Sequence, residues 1–136
     1  MKKEYKVGIL GFGFMGKAHT FGYQTMQLYY DNLPFLMKLG AVATRDEEKG
    51  KALQQEFGFE YYAADEDRII NDPNIDIIDI CTPNNMHKDA LIKCIKAGKN
   101  VYCEKPMVLS MEEVAEVKAA MEEYHYDKTA QVVFHN

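Results

Sequence analysis

The stretch from Gly8 to His19, GILGFGFMGKAH, constrains the fold of this chain more than any other. Short apolar residues lead into three glycines at G-x-G-x-x-G spacing, and a segment compatible with a helix follows at once. Gly11 permits a tight turn, Gly13 lets the backbone approach a ligand, and Gly16 allows the helix to pack closely on the sheet. Because free N–H groups at a helix start attract anions, the stretch predicts a site for a dinucleotide pyrophosphate. The same spacing also forms ordinary strand-to-helix turns.

Composition narrows the class of protein. The 136 residues are 47% hydrophobic and 27% charged, which predicts one globular domain over residues 1–136. The net charge of −5, with no basic cluster, argues against nucleic-acid binding. No apolar run is long enough for a membrane span and the N-terminus lacks a signal-peptide pattern, so we expect a cytoplasmic protein.

The three cysteines, Cys81, Cys94 and Cys103, are odd in number and form no C-x-x-C pair. This usage predicts reduced thiols. A zinc site made from them with His87 would fit none of the usual ligand spacings, and we expect no metal.

Apolar strands alternate with amphipathic helices along the whole chain. Strands are predicted over residues 5–10, 41–44, 60–63, 76–81, 100–103 and 130–134. The helices between them carry start and stop signals: Asp46 as a cap with Gly58 as a stop, Gly98 as a stop, and Ser110 with Glu113 as a capping box. This order predicts a doubly wound α/β (Rossmann) fold, with a mostly parallel six-stranded sheet and helices on both faces.

Five local features carry their own expectations. The segment FLMKL, residues 35–39, is compatible with a helical turn or a loop. Asp76 and Asp79 are expected near the start of the fourth strand or on a covered polar edge, and residues 82–85 are expected to cap the helix that follows. The first helix is expected to bury Met15, Ala18, Gly22, Met26 and Tyr29. The last is expected to bury Val114, Val117, Met121 and Tyr124.

Two further motifs follow predicted strands: CTPNNMH, residues 81–87, and YCEKPM, residues 102–107. With GFGFMGKAH they occur in the order and spacing of the Gfo/Idh/MocA family of NAD(P)-dependent oxidoreductases. The ending VVFHN, residues 132–136, is similar to that family's V-x-F-N segment. The chain resembles the family's cofactor-binding domain over essentially its whole length.

The resemblance implies hydride transfer between a nicotinamide and a carbon that bears a hydroxyl of a sugar or cyclitol. It implies that Lys105 is catalytic, because a lysine there can bind the substrate hydroxyl and help to move its proton. It also implies that Glu104 binds the nicotinamide ribose and that the peptide before Pro106 is cis. A solvated Glu–Lys pair at a strand end is the alternative for these two residues.

The motif after the fourth strand is implied to contact the ribose and nicotinamide, although a plain turn with a helix cap would use the same residue types. His87 matches a family position, with an exposed first-turn histidine as the alternative. The predicted cofactor-binding residues are Gly11, Gly13, Phe14, Met15, Gly16, Thr44, Arg45, Cys81, Thr82, Pro83, Asn84, His87, Glu104, Lys105 and Asn136.

The end of the second strand decides between NAD and NADP. A carboxylate there binds the ribose 2′-hydroxyl of NAD, whereas an arginine accommodates the 2′-phosphate of NADP. This chain has Thr44-Arg45 at that point, and the adjacent Asp46 is explained as a helix cap. The sequence therefore predicts NADP as the preferred cofactor, with NAD as the alternative.

Full-length proteins of the family carry a second domain that binds the substrate and contributes to oligomer contacts. We therefore expect these 136 residues to bind cofactor without turnover, to act on a polyol or sugar only with such a domain, and to form a homo-oligomer in a full-length form. A nucleotide-sensing regulatory module with the same fold is the competing interpretation. The E-K-P motif favours the enzyme, because a sensor needs no proton-handling lysine.

Overall fold

The computed structural model describes residues 1–133, which form six strands and five helices. The strands are β1 (Lys3–Leu10), β2 (Phe35–Ala43), β3 (Tyr61–Ala63), β4 (Ile77–Ile80), β5 (Asn100–Cys103) and β6 (Ala130–Val132). The helices are α1 (Phe14–Tyr29), α2 (Glu47–Phe57), α3 (Glu66–Ile70), α4 (His87–Ala97) and α5 (Met111–Glu123). The predicted α/β alternation is confirmed, while Asn136 and the predicted end of the last strand lie outside the described residues.

All six strands are parallel and follow the order β3-β2-β1-β4-β5-β6. The chain runs outward from β1 in one direction through β2 and β3, then returns to the other side of β1 and continues through β4, β5 and β6. Such a reversal opens a crevice at the carboxyl ends of the two central strands, where ligands bind in this fold. Leu10 of β1 lies opposite Ile80 of β4, so the turns after both strands meet at this crevice.

Side chains alternate between the two faces of the sheet along the central strands, and they contribute to a separate apolar cluster on each face. Val7 and Ile9 of β1 point to one face, where they pack with Leu53 of α2. Leu10 points to the other face and packs with side chains of α3, α4 and α5, among them Leu91. Both faces of the sheet are therefore buried, which explains the almost continuous apolar run at the end of β1.

The predicted helix signals largely hold. Asp46 Oδ1 accepts a hydrogen bond from the Lys49 amide at 3.0 Å, and Ser110 Oγ accepts one from the Glu113 amide at 3.2 Å. Gly58 is left-handed with φ 81°. The predicted cap of α4 was wrong, because residues 84–86 form a 3-10 turn and α4 begins at residue 87 without a side-chain cap.

The segment FLMKL, which the sequence left between a helical turn and a loop, is the first half of β2. It pairs with residues 3–7 of β1, and a register shift between Val7 and Gly8 separates this pairing from the second half of the strand. The pairing partner lies some 30 residues earlier in the chain, so the local pattern does not contain the information that makes this segment extended.

The predicted buried face of α1 was wrong. Its buried residues are Gly16 and Thr20, and Thr20 Oγ1 donates to the Gly16 carbonyl oxygen at 2.8 Å. Tyr29, which the pattern placed on the buried face, is 82% exposed. The helix is rotated so that polar side chains with hydrogen-bond partners face the sheet. Three residues of the predicted face instead line an apolar groove of about 600 Å³ along that sheet face: Ala18, Gly22 and Met26.

The predicted stripe of α5 is half right. Val117 is buried, whereas Met121 and Tyr124 are exposed and Ala120 takes the inner position. This helix packs on α4, and the small side chain of Ala120 suits that packing. Among the described residues, we find no helix with the length and apolar character that a bilayer crossing requires.

Candidate cofactor site

The three glycines of the turn after β1 have different physical reasons to be glycine. Gly11 adopts φ 84°, and a Cβ there would lie 3.0 Å from the Cys81 carbonyl oxygen. A Cβ on Gly16 would lie 2.7 Å from the Gly11 carbonyl oxygen, so this glycine lets the first turn of α1 press against the loop. A Cβ on Gly13 would meet nothing within 4 Å. Gly13 therefore borders open space, into which a ligand can approach the backbone.

That open space belongs to a cleft of about 900 Å³ at the carboxyl ends of β1, β2 and β4. Predicted site residues that line it are Gly11, Gly13, Phe14, Met15, Thr44, Arg45, Cys81, Thr82 and Pro83. Lining residues outside the predicted site are Phe12, Ala43, Asp46, Lys49, Ala64, Asp65, Glu66 and Met86. The cleft lies at the reversal of strand order, as the fold requires of a nucleotide site.

At the end of β2 the cleft wall is made by Thr44 and Arg45. Arg45 is exposed, while the neighbouring carboxylate of Asp46 caps α2. Lys49 Nζ donates to the Phe12 carbonyl oxygen at 2.7 Å, which ties α2 to the glycine turn. The expectation that a helix cap accounts for Asp46 is confirmed.

Thr82, in the turn after β4, carries a polar atom that the protein does not satisfy. Its Oγ1 is buried and has no hydrogen-bond partner among the described residues. A buried hydroxyl without a partner is costly, and such atoms are uncommon in folded proteins. Together with the uncovered backbone at Gly13, this hydroxyl makes the cleft fit a ligand with phosphate and sugar oxygens.

His87 does not lie at the surface, because its side chain is fully buried. Its Nε2 lies 2.8 Å from the Thr82 carbonyl oxygen and its Nδ1 lies 2.7 Å from the Pro106 carbonyl oxygen. The ring thus joins the turn after β4 to the turn after β5. Any effect of His87 on a ligand would pass through these two turns.

The Glu104-Lys105-Pro106 segment begins where β5 ends. The Glu104 amide donates to the Ile80 carbonyl oxygen at 3.0 Å, which holds this residue against β4. Lys105 is exposed, and the Lys105–Pro106 peptide is cis, as expected. Glu104 is only 6% exposed and does not line the 900 Å³ cleft.

The sequence reasoning missed a buried ionisable network beneath α1. His19 Nδ1 lies 2.7 Å from Asp79 Oδ2, and its Nε2 lies 2.8 Å from Glu104 Oε1. Asp79 is fully buried in the middle of β4, so the expectation that it lies at the strand start or a polar edge was wrong. The expectation holds for Asp76, which precedes β4 and accepts from the Lys6 amide.

Two more groups donate to the Asp79 carboxylate. Tyr23 Oη donates to Oδ2 at 2.7 Å, and the Cys81 thiol donates to Oδ1 at 3.3 Å. Burial and the negative charge of Asp79 raise the pKa of the Tyr23 hydroxyl and of the Cys81 thiol well above their ordinary values. Both groups therefore stay protonated and act as donors. Every second residue of β4 and β5 faces the α1 side of the sheet. This alternation is the sequence signal that could have revealed the network.

All three cysteines are free thiols, as predicted. Burial raises the pKa of both Cys94 and Cys103 to about 12. His19, Asp79 and Cys81 bring ligand-type atoms within 4.8 Å of one another. These atoms are already engaged in hydrogen bonds with each other, and the raised pKa of the Cys81 thiol opposes the thiolate that a metal would need.

The chain matches known proteins in both sequence and structure. Residues 5–132 match the family model described as "Oxidoreductase family, NAD-binding Rossmann fold". Levoglucosan dehydrogenase of Pseudarthrobacter phenanthrenivorans is 38% identical over 82% of this chain and 28% of its own length. The NAD(+)-dependent scyllo-inositol 2-dehydrogenase of Bacillus subtilis is 35% identical over 83% of this chain and 31% of its own.

Solved structures agree with these matches. A levoglucosan dehydrogenase in complex with NADH and levoglucosan superposes with a TM-score of 0.84 at 34% identity, over 94% of this chain and 35% of that one. The chain therefore spans about a third of the length of these relatives. Because the family model covers nearly all of the described residues, the chain belongs to the Gfo/Idh/MocA oxidoreductase family and is its NAD-binding Rossmann domain.

Proposed function

We propose that this chain binds a nicotinamide adenine dinucleotide in the 900 Å³ cleft and serves a dehydrogenase that acts on a sugar or cyclitol hydroxyl. The cleft supports the proposal through its uncovered backbone at Gly13 and the unsatisfied hydroxyl of Thr82. The relatives add support, since those named above are sugar and inositol dehydrogenases. Apart from the contact proposed for Lys105, substrate contacts would come from residues outside this domain.

The chain's own residues would divide the work. Backbone N–H groups after Gly13, at the start of α1, would hold the pyrophosphate, and Thr82 and Pro83 would orient the ribose and nicotinamide. When bound, the nicotinamide supplies the hydride chemistry. Lys105, exposed at the carboxyl end of β5, would hydrogen-bond the substrate hydroxyl and assist its proton transfer.

For the adenosine ribose we propose a preference for NADP over NAD. Arg45 is exposed in the cleft wall, whereas the neighbouring Asp46 carboxylate is engaged as the cap of α2. Glu47 and Glu48, the next acidic side chains, lie in the first turn of α2 and do not line the cleft, so a 2′-phosphate here would meet the Arg45 guanidinium. The solved relative named above holds NADH, so the test of this preference compares both cofactors.

Calorimetric titration of the 136-residue chain with NADH and NADPH tests the proposal, with Thr82→Val as the matched variant. Because valine keeps the shape of threonine and removes a hydroxyl without a partner, we expect unchanged stability and about tenfold weaker binding of either cofactor. Absence of binding to the wild-type chain would contradict the proposed function. Binding of NADH as tight as that of NADPH would contradict the preference alone.

Substitution of Lys105 distinguishes an enzyme from the regulatory binding module. In an active enzyme that contains this domain, Lys105→Ala should remove polyol-dependent cofactor reduction and leave cofactor affinity nearly unchanged. Unchanged turnover would favour a binding module over a catalytic one.

A further inference from the structure

We propose that His19 is a positioning residue of the cofactor site: held between Asp79 and Glu104, its doubly protonated ring fixes the Glu104–Lys105–Pro106 turn against the central strands. The inference rests on the proposed function, because it assigns a role within the same site. It concerns a residue of α1 that lines the 600 Å³ groove and does not line the cofactor cleft.

The geometry of the ring supports two donated hydrogen bonds. Each nitrogen lies within 2.8 Å of a carboxylate oxygen, and an ionised carboxylate only accepts. With both carboxylates as acceptors, both nitrogens carry a proton when both contacts are hydrogen bonds. An imidazolium also places a positive charge between two buried carboxylates, of which Asp79 is fully buried and Glu104 is 6% exposed. Without that charge, two negative groups would lie close together in a largely buried position.

The surroundings favour the charged ring. Burial lowers the pKa of His19, but its hydrogen bonds to Asp79 and Glu104 and their negative charges outweigh burial, and the pKa is raised overall. The other ionisable groups that face it are Cys81 after β4, Tyr23 of α1 acting through Asp79, and Tyr102 of β5, whose ring centroid lies 5.4 Å from that of His19. The pKa of each of these three groups is raised, so none competes as an anion near neutral pH.

The two contacts of His19 serve different ends. Asp79 lies within β4, and Tyr23 and Cys81 also donate to it, so this carboxylate keeps partners when the histidine is lost. The Glu104 contact instead joins α1 to the residue directly before Lys105, and Glu104 Oε2 accepts from the Lys105 amide at 3.3 Å. Through Glu104, the histidine sets where the backbone of Lys105 leaves the sheet. The positioning role therefore depends on Nε2 rather than on Nδ1.

Two variants separate these contacts, because an asparagine amide reaches the position of Nδ1 and a glutamine amide reaches that of Nε2. We expect His19→Gln to bind NADH within about twofold of wild type, since it still donates to Glu104, and His19→Asn to bind at least about fivefold more weakly. The control is Tyr23→Phe, which removes a bond to Asp79 and leaves Glu104 untouched. It should lower the melting temperature without changing NADH affinity.

NADH affinity is measured by calorimetry on folded protein, and ring protonation is measured by ¹⁵N NMR of His19 at neutral pH. Two N–H signals from the ring are expected, and a single protonated nitrogen would overturn the inference. So would His19→Asn binding within twofold of wild type, or Tyr23→Phe losing as much affinity as His19→Asn. Failure of the wild-type chain to bind NADH would instead overturn the proposed function, so the two failures are distinguishable.

Discussion

His87 Nδ1 lies 2.7 Å from the carbonyl oxygen of Pro106, 19 residues further along the chain. The other ring nitrogen reaches the carbonyl of Thr82, so one buried side chain spans the two turns that carry the second and third family motifs. Neither turn belongs to a regular element, and each therefore depends on side-chain contacts for its position. The histidine supplies such a contact from the first residue of α4.

His87→Leu tests this role. Leucine fills a similar volume but offers no ring N–H, so the half-buried carbonyl groups of Thr82 and Pro106 lose the histidine as a partner, and we expect a loss of about 1–3 kcal/mol in the free energy of unfolding. Urea denaturation measures it. The matched control is His125→Asn at an exposed site with φ 50°, which asparagine tolerates and which should change stability by less than about 0.5 kcal/mol. Equal losses in the two variants would contradict the bridging role.

Gly13 and Gly16 should respond in opposite ways to alanine. Gly16→Ala places a Cβ 2.7 Å from the Gly11 carbonyl oxygen, and we expect a loss of about 1–3 kcal/mol in stability. Gly13→Ala meets no atom within 4 Å, so the stability should stay within about 0.5 kcal/mol while the methyl group intrudes on the ligand and weakens NADH binding. Thermal denaturation and calorimetry measure the two effects.

Gly22→Ala is the control for this pair. Its Cβ would also meet nothing within 4 Å, but it lies in the interior of α1, away from the cofactor cleft. Alanine in a helix interior should raise stability by about 0.5–1 kcal/mol and leave NADH affinity unchanged. If Gly13→Ala binds NADH as Gly22→Ala does, the glycine turn does not carry the pyrophosphate.

Local signals were sufficient for most of the fold. Helix α2 begins after Asp46 and ends at Gly58 as the sequence predicts, because a cap or a left-handed stop depends on residues close in the chain. The first half of β2 was left undecided because its strand character comes from pairing with residues 3–7 of β1. Turn and helix chemistry is written locally, whereas strand pairing is a property of the assembled sheet.

The site residues also divide into those that a local motif reveals and those that depend on contacts between distant parts of the chain. The glycine turn, Thr82 and Arg45 were identified from motifs, and the fold brings them to one cleft. The contact between His19 and Glu104 was missed because it joins residues 85 positions apart. The apolar periodicity of α1 also favoured the wrong face, since a buried polar side chain with a partner is indistinguishable from an exposed one in the pattern.

Arg45→Ala tests the proposed preference at the ribose 2′ position. An exposed guanidinium in the cleft wall can pair with a 2′-phosphate, so we expect the variant to bind NADPH about tenfold more weakly and NADH with nearly unchanged affinity. Calorimetry with both cofactors measures the ratio. Lys17→Ala, an exposed cation of α1 that does not line this cleft, is the matched control. An equal loss of affinity for both cofactors would contradict the contact between Arg45 and the 2′-phosphate.

The raised pKa of His19 has a consequence for stability. A histidine whose pKa is higher in the folded than in the unfolded chain stabilises the fold fully below the unfolded value, about 6.5. This contribution is lost as the pH rises through the folded value. The neighbouring hydroxyl and thiol groups of Tyr23 and Cys81 have raised pKa values and stay protonated over the same range.

The stability difference between the wild-type chain and His19→Gln should therefore depend on pH in one direction. Glutamine keeps a donor towards Glu104 but does not titrate, so the wild type should hold its full advantage below the unfolded pKa of about 6.5 and lose it progressively as the pH rises above that value. Urea denaturation of both proteins across this range measures the difference, and subtraction removes the titration that the two chains share. A difference that stays flat, or that grows with pH, would show that His19 is neutral between its two carboxylates.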